Sequence, residues 1–449
     1  MMNTAWRISG RTFFFLLLSL IGMSGTAVAA DAQDAGDLRL VIVLSRHGVR
    51  SPTAEPGALD AFSSKPWPTW TVQPGYLTPH GKQLMVMMGG WYRAYYAHAG
   101  LVPASGCMER ASIDVTADDE ERTLESAHGL MDGFNPHCTM EIRSAPKQGP
   151  NALFSHGFTD VSDADRNEAV AAVLGRIGGD PHRLALAHAG LLTQMQAVLF
   201  GCQTNECTPA QAADKKKLLD QDSSVTAGHG DGLVSIKSPL HNASTFAENF
   251  FLEYVEGMPM SDVAWGRISS LQLGQLLALH AAYSDINLRT PVIARAYAGH
   301  LATRILATLQ QGAGQTAAAG AIGPSQEKIV FLVGHDTNIE TLAGLLNLHW
   351  MLSEQPVDPT STGGALVFEL RQSKGAGRYR VRAYYVSQSM EQMRESAALS
   401  LEHPPEVAPI FIPGCSQATA GYDCPLDRFT QLVKQAVDAS AIAKGAEGQ

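Results

Sequence analysis

The sequence predicts an α/β protein, a central mixed sheet flanked by helices with a second, mainly helical insertion domain. Three observations lead there. Residues 40–44 and 329–333 are short apolar runs rich in β-branched side chains, each ending abruptly in a polar cluster; strands buried on both faces look like this. Residues 366–368 and 381–386 are strand-like and flank a Gly-containing turn, the pattern of a hairpin. Between residues 160 and 287 strand-like alternation gives way to helical periodicity. The expected division is a leader over 1–30, an α/β domain from 31–159 and 288–449, and a helical cap from 160–287.

The first thirty residues read as a secretory signal. Arg7 and Arg11 precede the apolar residues 13–21, and small residues follow up to Ala27-Val28-Ala29-Ala30, where cleavage is expected. A membrane anchor is the alternative, but the apolar stretch is too short to span a bilayer. No later stretch is apolar enough to cross a membrane, so an exported, soluble protein with no membrane partner is expected. Without Arg7 and Arg11, 31 basic residues face 43 acidic ones, a net charge of −12. There is no basic tract, which argues against nucleic acid as a partner. The six cysteines, Cys107, Cys138, Cys202, Cys207, Cys415 and Cys424, all follow the leader. In an oxidising compartment they read as three disulfides with 15 possible pairings. The short 202/207 and 415/424 spacings favour near-neighbour bridges, leaving Cys107 with Cys138. A zinc site is the alternative, but neither CxxC nor clustered His accompanies these residues.

The chemistry concentrates where strands end. Residues 40–53 read LVIVLSRHGVRSPT, so Arg46, His47, Gly48 and Arg50 follow the first buried run directly. Ligands of open α/β sheets bind beyond the carboxyl ends of strands. Two guanidiniums flanking one imidazole suit an oxyanion, because Arg presents a planar fork of donors and stays charged. Gly48 is expected to let the backbone pass close to a ligand. The competing reading, two arginines solvating a strand end beside an incidental His, is the weaker one for this motif in this context. Residues 66–78 are turn-rich and are expected to pack over the pocket mouth. A helix follows from Thr78-Pro79, with Leu84, Met87, Met88 and Trp91 on its core face and His80 exposed at its start.

Residues 113–117 alternate as a second strand and end in Asp118-Asp119-Glu120-Glu121-Arg122-Thr123, followed by a helix through Leu124, His128 and Met131. One Arg among four acids is ordinarily a solvated face; its place after a strand end raises it. In the insertion, helical patterns cover 169–177, 183–200, 246–255 and 268–283, interrupted by a charged linker at 214–222 and a Gly-rich stretch at 228–232. His188, His280 and His300 sit on helical patterns, where packing is the commoner role. Arg289-Thr290-Pro291 opens a long helix to Leu309, and a Gly/Ala linker covers 312–323. The second decisive stretch, residues 328–346, reads KIVFLVGHDTNIETLAGLL: a buried strand, a turn at Gly334, then His335 and Asp336 opening a helix. His-Asp at a strand end pairs a donor for phosphate with a carboxyl acid. The C-terminal part is Pro-rich and then helical.

R-H-G-x-R-x-P with its trailing Pro52-Thr53 resembles the first signature of the histidine phosphatase superfamily, in its acid phosphatase and phytase branch. The G-H-D-T-N element resembles the second signature, the D-x-x-R-T-like element a third, and G-Y-L-T-P-x-G is similar to the same family. The match runs in order over nearly the whole chain beyond the leader, with wording nearest the bacterial periplasmic phytases. The resemblance implies a periplasmic or secreted, monomeric phosphomonoesterase. It implies His47 as the nucleophile, Asp336 as the proton donor, and Arg46, Arg50, Arg122, His335 and the Thr53 hydroxyl as phosphate ligands. It also implies substrate contact from the helix carrying His280. Three arginines supply the charge, so no metal or other cofactor is expected. The substrate would be a small phosphate ester, phytate or a sugar phosphate. R-H-G-V-R-x-P-T and H-D-T favour phytate over glucose 1-phosphate, whereas Ala54 stands where bacterial phytases often carry Lys. A phosphoglycerate mutase-like enzyme shares R-H-G but would normally lack a leader and the His-Asp element. A phosphate-ester binding protein with a decayed site fits poorly, because no expected catalytic residue is missing.

Overall fold

The computed structural model describes residues 36–145, 152–154, 161–202, 214–230, 232–315, 320–374 and 377–438. The expected leader and Cys207 lie outside these residues, so the signal peptide and the Cys202–Cys207 bridge are left as expectations. The other two expected bridges, Cys107–Cys138 and Cys415–Cys424, are formed.

Strand β1 (Asp37–Arg46) is central to an eight-stranded mixed sheet. On one side it pairs in parallel with Ile329–Gly334, which in turn pairs in parallel with Ile113–Asp118, and that strand with Arg143–Ala145. On the other side it pairs antiparallel with Ala365–Gln372, followed by Tyr379–Ser387 and the short strands Glu406–Ile410 and Cys424–Pro425. The expected hairpin is therefore the antiparallel half of the sheet. Residues 40–44 are at most 1% exposed, because both faces are covered. Leu40, Ile42 and Leu44 pack with Leu301, Ile305 and Leu309 of the helix Pro291–Gly312 and with Phe429 of the C-terminal helix Leu426–Asp438. Val41 and Val43 pack with Met85, Met88 and Tyr92 of helix α1 (Pro79–His98) and with Leu130 and Phe134 of helix α2 (Glu121–Phe134). Burying each such side chain contributes ~1.5–3 kcal/mol, enough to fix the strand register and hence the residue at its end.

Around helix α3 (Pro239–Val255) Phe246, Phe250 and Phe251 share a hydrophobic core with Leu273, Leu276 and Leu277 of helix α4 (Ser270–Asn287), which Val49, Leu84, Met390 and Met393 join from outside residues 160–287. The absence of strands expected here is corrected: Ser224–Ala227 and Val234–Lys237 form a two-stranded hairpin around the Gly-rich stretch, too short to show a period. The expected single helix over 183–200 breaks at His188 into Arg183–Ala187 and Ala189–Phe200. The segment 66–70 docks on the cap, where Trp67 stacks on Phe250 at 5.2 Å and meets Trp265 edge-on. His80 is not the free surface residue expected at the start of α1. It is half-buried, with Nε2 2.9 Å from both the Val255 and Met393 carbonyls, so its ring N–H ties α1 to the end of α3.

Two glycines of the motifs are required by packing. A Cβ on Gly48 would meet the Gly81 carbonyl oxygen at 2.9 Å and Met85 Cγ at 3.0 Å, so the residue admits helix α1 rather than a ligand. A Cβ on Gly334 would meet Phe154 and Asn338 Oδ1 at 2.6 Å. Neither requirement is a turn geometry.

Candidate active site

The parallel pairing of Asp37–Arg46 with Ile329–Gly334 sets Arg46 beside Gly334, so His47 and His335 emerge next to each other from adjacent strand ends. Backbone bonds lock the step: His47 N–H donates to the Gly334 carbonyl and Gly363 N–H to the His47 carbonyl, both at 2.9 Å. The two imidazoles lie edge to face with centroids 5.6 Å apart. His47 Nδ1 is 2.9 Å from the Gly48 carbonyl. Since a carbonyl only accepts, Nδ1 carries the proton and Nε2 keeps its lone pair. Burial, then the charges of Arg46 and Arg50, then His335 and Arg122, push the His47 pKa well below its ordinary value. The ring is a neutral base with its free nitrogen turned away from the loop that anchors it.

The arginines divide by surroundings. Arg46, 1% exposed, lies between two carboxylates: Nη2 pairs with Glu248 of helix α3 and, at 3.0 Å, with Asp336, while Nη1 donates to the Thr360 carbonyl at 2.6 Å. Burial works against its charge, but Asp336 and Glu248 outweigh burial and hold its pKa above the ordinary value. Arg50, also deeply placed, donates to the Ser51 carbonyl at 2.9 Å and has no carboxylate within ion-pair distance among the described residues. Burial therefore brings its pKa down to about 10. Arg122, in the first turn of α2, pairs with Glu120 and approaches His335 Nδ1 at 3.5 Å. All three guanidiniums keep a buried Nε–H without a protein acceptor. Unsatisfied buried donors of one charge sign call for an anion.

Asp336 begins the helix Asp336–Leu346, its Oδ1 accepting the Thr337 N–H at 2.8 Å. Burial would raise its pKa; Arg46, then His280, His47 and Arg50, more than reverse this and hold it well below the usual carboxylate range. His335 Nε2 is 2.7 Å from Asp118 Oδ2 at the end of strand Ile113–Asp118, which fixes Nε2 as the protonated nitrogen and turns Nδ1 toward Arg122. Thr53 stands exposed at the rim, close to Gly75, which Arg122 Nη1 also borders. Of the expected site residues, Arg46, His47, Arg50, Arg122, His335 and Asp336 thus cluster around one imidazole, and Thr53 lies at the edge.

Sequence reasoning missed Glu248 and Asp118. His280 of α4 sits 3.9 Å from Glu248 and accepts from or donates to Ser244 Oγ at 3.0 Å. For Asp118 a signal was present, its place as the last residue of a buried strand; Glu248, one of two acids in the helical pattern 246–255, carried none.

A neutral imidazole ringed by guanidiniums with a carboxyl beside it defines a class, the phosphoryl-transfer enzymes that use a histidine nucleophile. The chain belongs to the histidine phosphatase superfamily (branch 2), whose family model matches residues 37–386. It is 33% identical to the phytase AppA of Escherichia coli (strain K12) over 94% of this chain and 97% of that one. It is 28% identical to a glucose-1-phosphatase of Salmonella typhimurium, over 92% and 96%. Among solved structures, the Hafnia alvei phytase in complex with tartrate matches with a TM-score of 0.80 and 34% identity, covering 90% of this chain and 98% of that one.

Proposed function

We propose that this enzyme hydrolyses phosphate monoesters, phytate among them, through a phosphohistidine at His47. The observation that carries the reading is the free Nε2 of a neutral His47 amid three guanidiniums whose Nε–H groups lack partners. A covalent intermediate divides a difficult displacement into two easier ones. Nε2 attacks phosphorus in line with the ester bond, and the P–O bond breaks with its electron pair on the leaving oxygen. Arg46, Arg50 and Arg122 hold the non-bridging oxygens, where preorganised charge lowers the barrier most. His335 joins them with Nδ1 carrying a proton toward the phosphate in place of its contact with Arg122, while Nε2 stays on Asp118, and the Thr53 hydroxyl completes the rim. Asp336 gives the leaving oxygen its proton, then takes one from the water that attacks phosphorus and releases His47.

Asp336 is ionised in the free enzyme, so the proton must arrive with the substrate. A phosphate ester loses its second proton near pH ~6; below that it enters as the monoanion and passes its proton to Asp336 as its charge offsets that of Arg46. Activity then belongs to acid pH, with an alkaline limb set by the substrate's own ionisation. Release of phosphate from an aryl phosphate at acid pH in the presence of EDTA tests the reaction class. Absence of release would end the reading.

Phytate is the favoured substrate on three grounds: the loop wording from Arg46 to Thr53, the H-D-T element, and similarity to the phytases named above. A Hafnia alvei phytase is also seen with myo-inositol hexakis sulphate. Glucose 1-phosphate is the alternative, favoured by the similarity to glucose-1-phosphatases and by Ala54, which offers a polyanion no charge. The ratio of kcat/KM for the two substrates decides between them. The formed disulfides and the N-terminal pattern support an exported, periplasmic enzyme.

A further inference from the structure

A cavity of about 290 Å³ lies behind the phosphate loop, and no step of the proposed reaction uses it. One wall is the loop itself, Ser51, Pro52 and Ala54; the opposite wall is the Trp67–Trp70 segment; the floor is Asn249 and Glu253 of helix α3. Its lining is one residue along the chain from the reaction site at two places, Ser51 after Arg50 and Asn249 after Glu248, and includes none of Arg46, His47, Arg50 and Asp336.

The floor is built of polar groups with unused bonding capacity. Asn249 is 4% exposed and its Nδ2 has no partner; Glu253 is fully buried, and one carboxyl oxygen accepts the Ala264 N–H at 2.9 Å while Oε1 has none. The Trp67 indole N–H is likewise buried without an acceptor. Orphaned polar atoms in one buried place cost free energy unless something occupies them. Burial raises the Glu253 pKa to about 8, so in the acid range it is a carboxylic acid that donates as well as accepts.

We propose that this cavity is a binding site for an uncharged polyhydroxylated ring, a sugar or cyclitol, seated between the tryptophans and the Asn249–Glu253 floor. The Trp70 indole covers the apolar C–H surface of such a ring, and its hydroxyl oxygens accept from Asn249 Nδ2 and the Trp67 N–H. An anion is disfavoured because the lining holds Glu55 and Asp60 and no Lys, Arg or His. A cation is disfavoured because the buried floor presents donors, and Asp60 Oδ1 already accepts the Trp67 backbone N–H at 3.1 Å.

The inference stands whether or not phytate is the substrate, and its test reads binding, not turnover. The full chain is titrated at acid pH with myo-inositol and with glucose, following tryptophan fluorescence and heat, with and without inorganic phosphate. Saturable binding that phosphate leaves in place is expected. Asn249→Leu should weaken it about tenfold, the effect of losing one buried hydrogen bond, while hydrolysis of an aryl phosphate stays within about twofold of the parent, as expected for a residue outside the transition-state contacts. Trp70→Ala serves as the second variant should Asn249→Leu not fold. No saturable response to either polyol, a response that phosphate abolishes, or tighter binding of choline than of either polyol would overturn the proposal.

Discussion

The two sides of His47 carry similar residues in opposite electrostatic states. On the inner side, Arg46 is closed in by Glu248 and Asp336, with His280 beyond them. On the outer side, Arg50 has a carbonyl and, among the described residues, no carboxylate at ion-pair distance, and Arg122 shares Glu120 at the rim. The difference teaches which charges build the site and which receive the ligand. The inner arginine is neutralised before substrate arrives and organises the acid; the outer pair has charge to spare and is where an anion gains most.

The largest effect should come from breaking the inner side. Arg46→Leu strands Glu248 and Asp336 as buried carboxylates, and removing one partner of such a group costs ~3–5 kcal/mol. Turnover should be lost and the melting temperature should fall clearly; a variant that stays stable with a raised KM alone would show that Arg46 belongs with the outer group. Next in size is Asp336→Asn. General acid catalysis contributes ~10²–10⁴-fold, so alkyl phosphates should suffer a loss of that order and nitrophenyl phosphate much less, since a good leaving group needs little protonation. Equal losses on both would remove Asp336 from the acid's role.

The outer side should respond gently. Glu120→Gln releases Arg122 from a competing carboxylate, and a part-exposed pair of this kind is worth ~0.2–1 kcal/mol. A KM for aryl phosphate lowered by less than about fivefold, with kcat little changed, is the expected result. A collapse of kcat would mean that Glu120 positions the arginine instead of competing for it.

The motif residues were legible because each follows a strand whose burial is written in its composition. Leu40 to Leu44 fix the register, and Arg46, His47 and Arg50 fall into place beyond it; His335 and Asp336 follow Ile329–Gly334 for the same reason. Glu248 and His280 were not legible, because they come from helices brought over the site by tertiary packing of the cap. A lone acid in a helix carries no spacing that says what it will face. Gly48 was legible as a special position but not for its cause, since the helix it admits starts thirty residues later. His80 failed for the same reason, its partners being carbonyls of distant elements.

A separate effect, on stability alone, lies outside the site. Burial raises the pKa of Glu253 to about 8 and that of Glu327 to about 9, from about 4.5 when exposed. A group whose folded pKa is raised stabilises the fold fully below the unfolded value and loses that contribution as pH climbs through the folded one. Melting temperature should therefore decline from pH ~5 to pH ~9, and Glu253→Gln should flatten part of the decline. A melting temperature rising across that window would contradict the assignment.

The central claim is that His47, kept neutral with Nε2 free, becomes phosphorylated during turnover. The direct measurement is rapid mixing with an isotopically labelled phosphate ester, a quench that preserves phosphohistidine, and mapping of the label by peptide. Label on His47, formed at a rate no slower than turnover and missing in His47→Ala, is the predicted result. Label on a Ser, Asp or Cys, or full turnover with no covalent phosphate at any time, would contradict it.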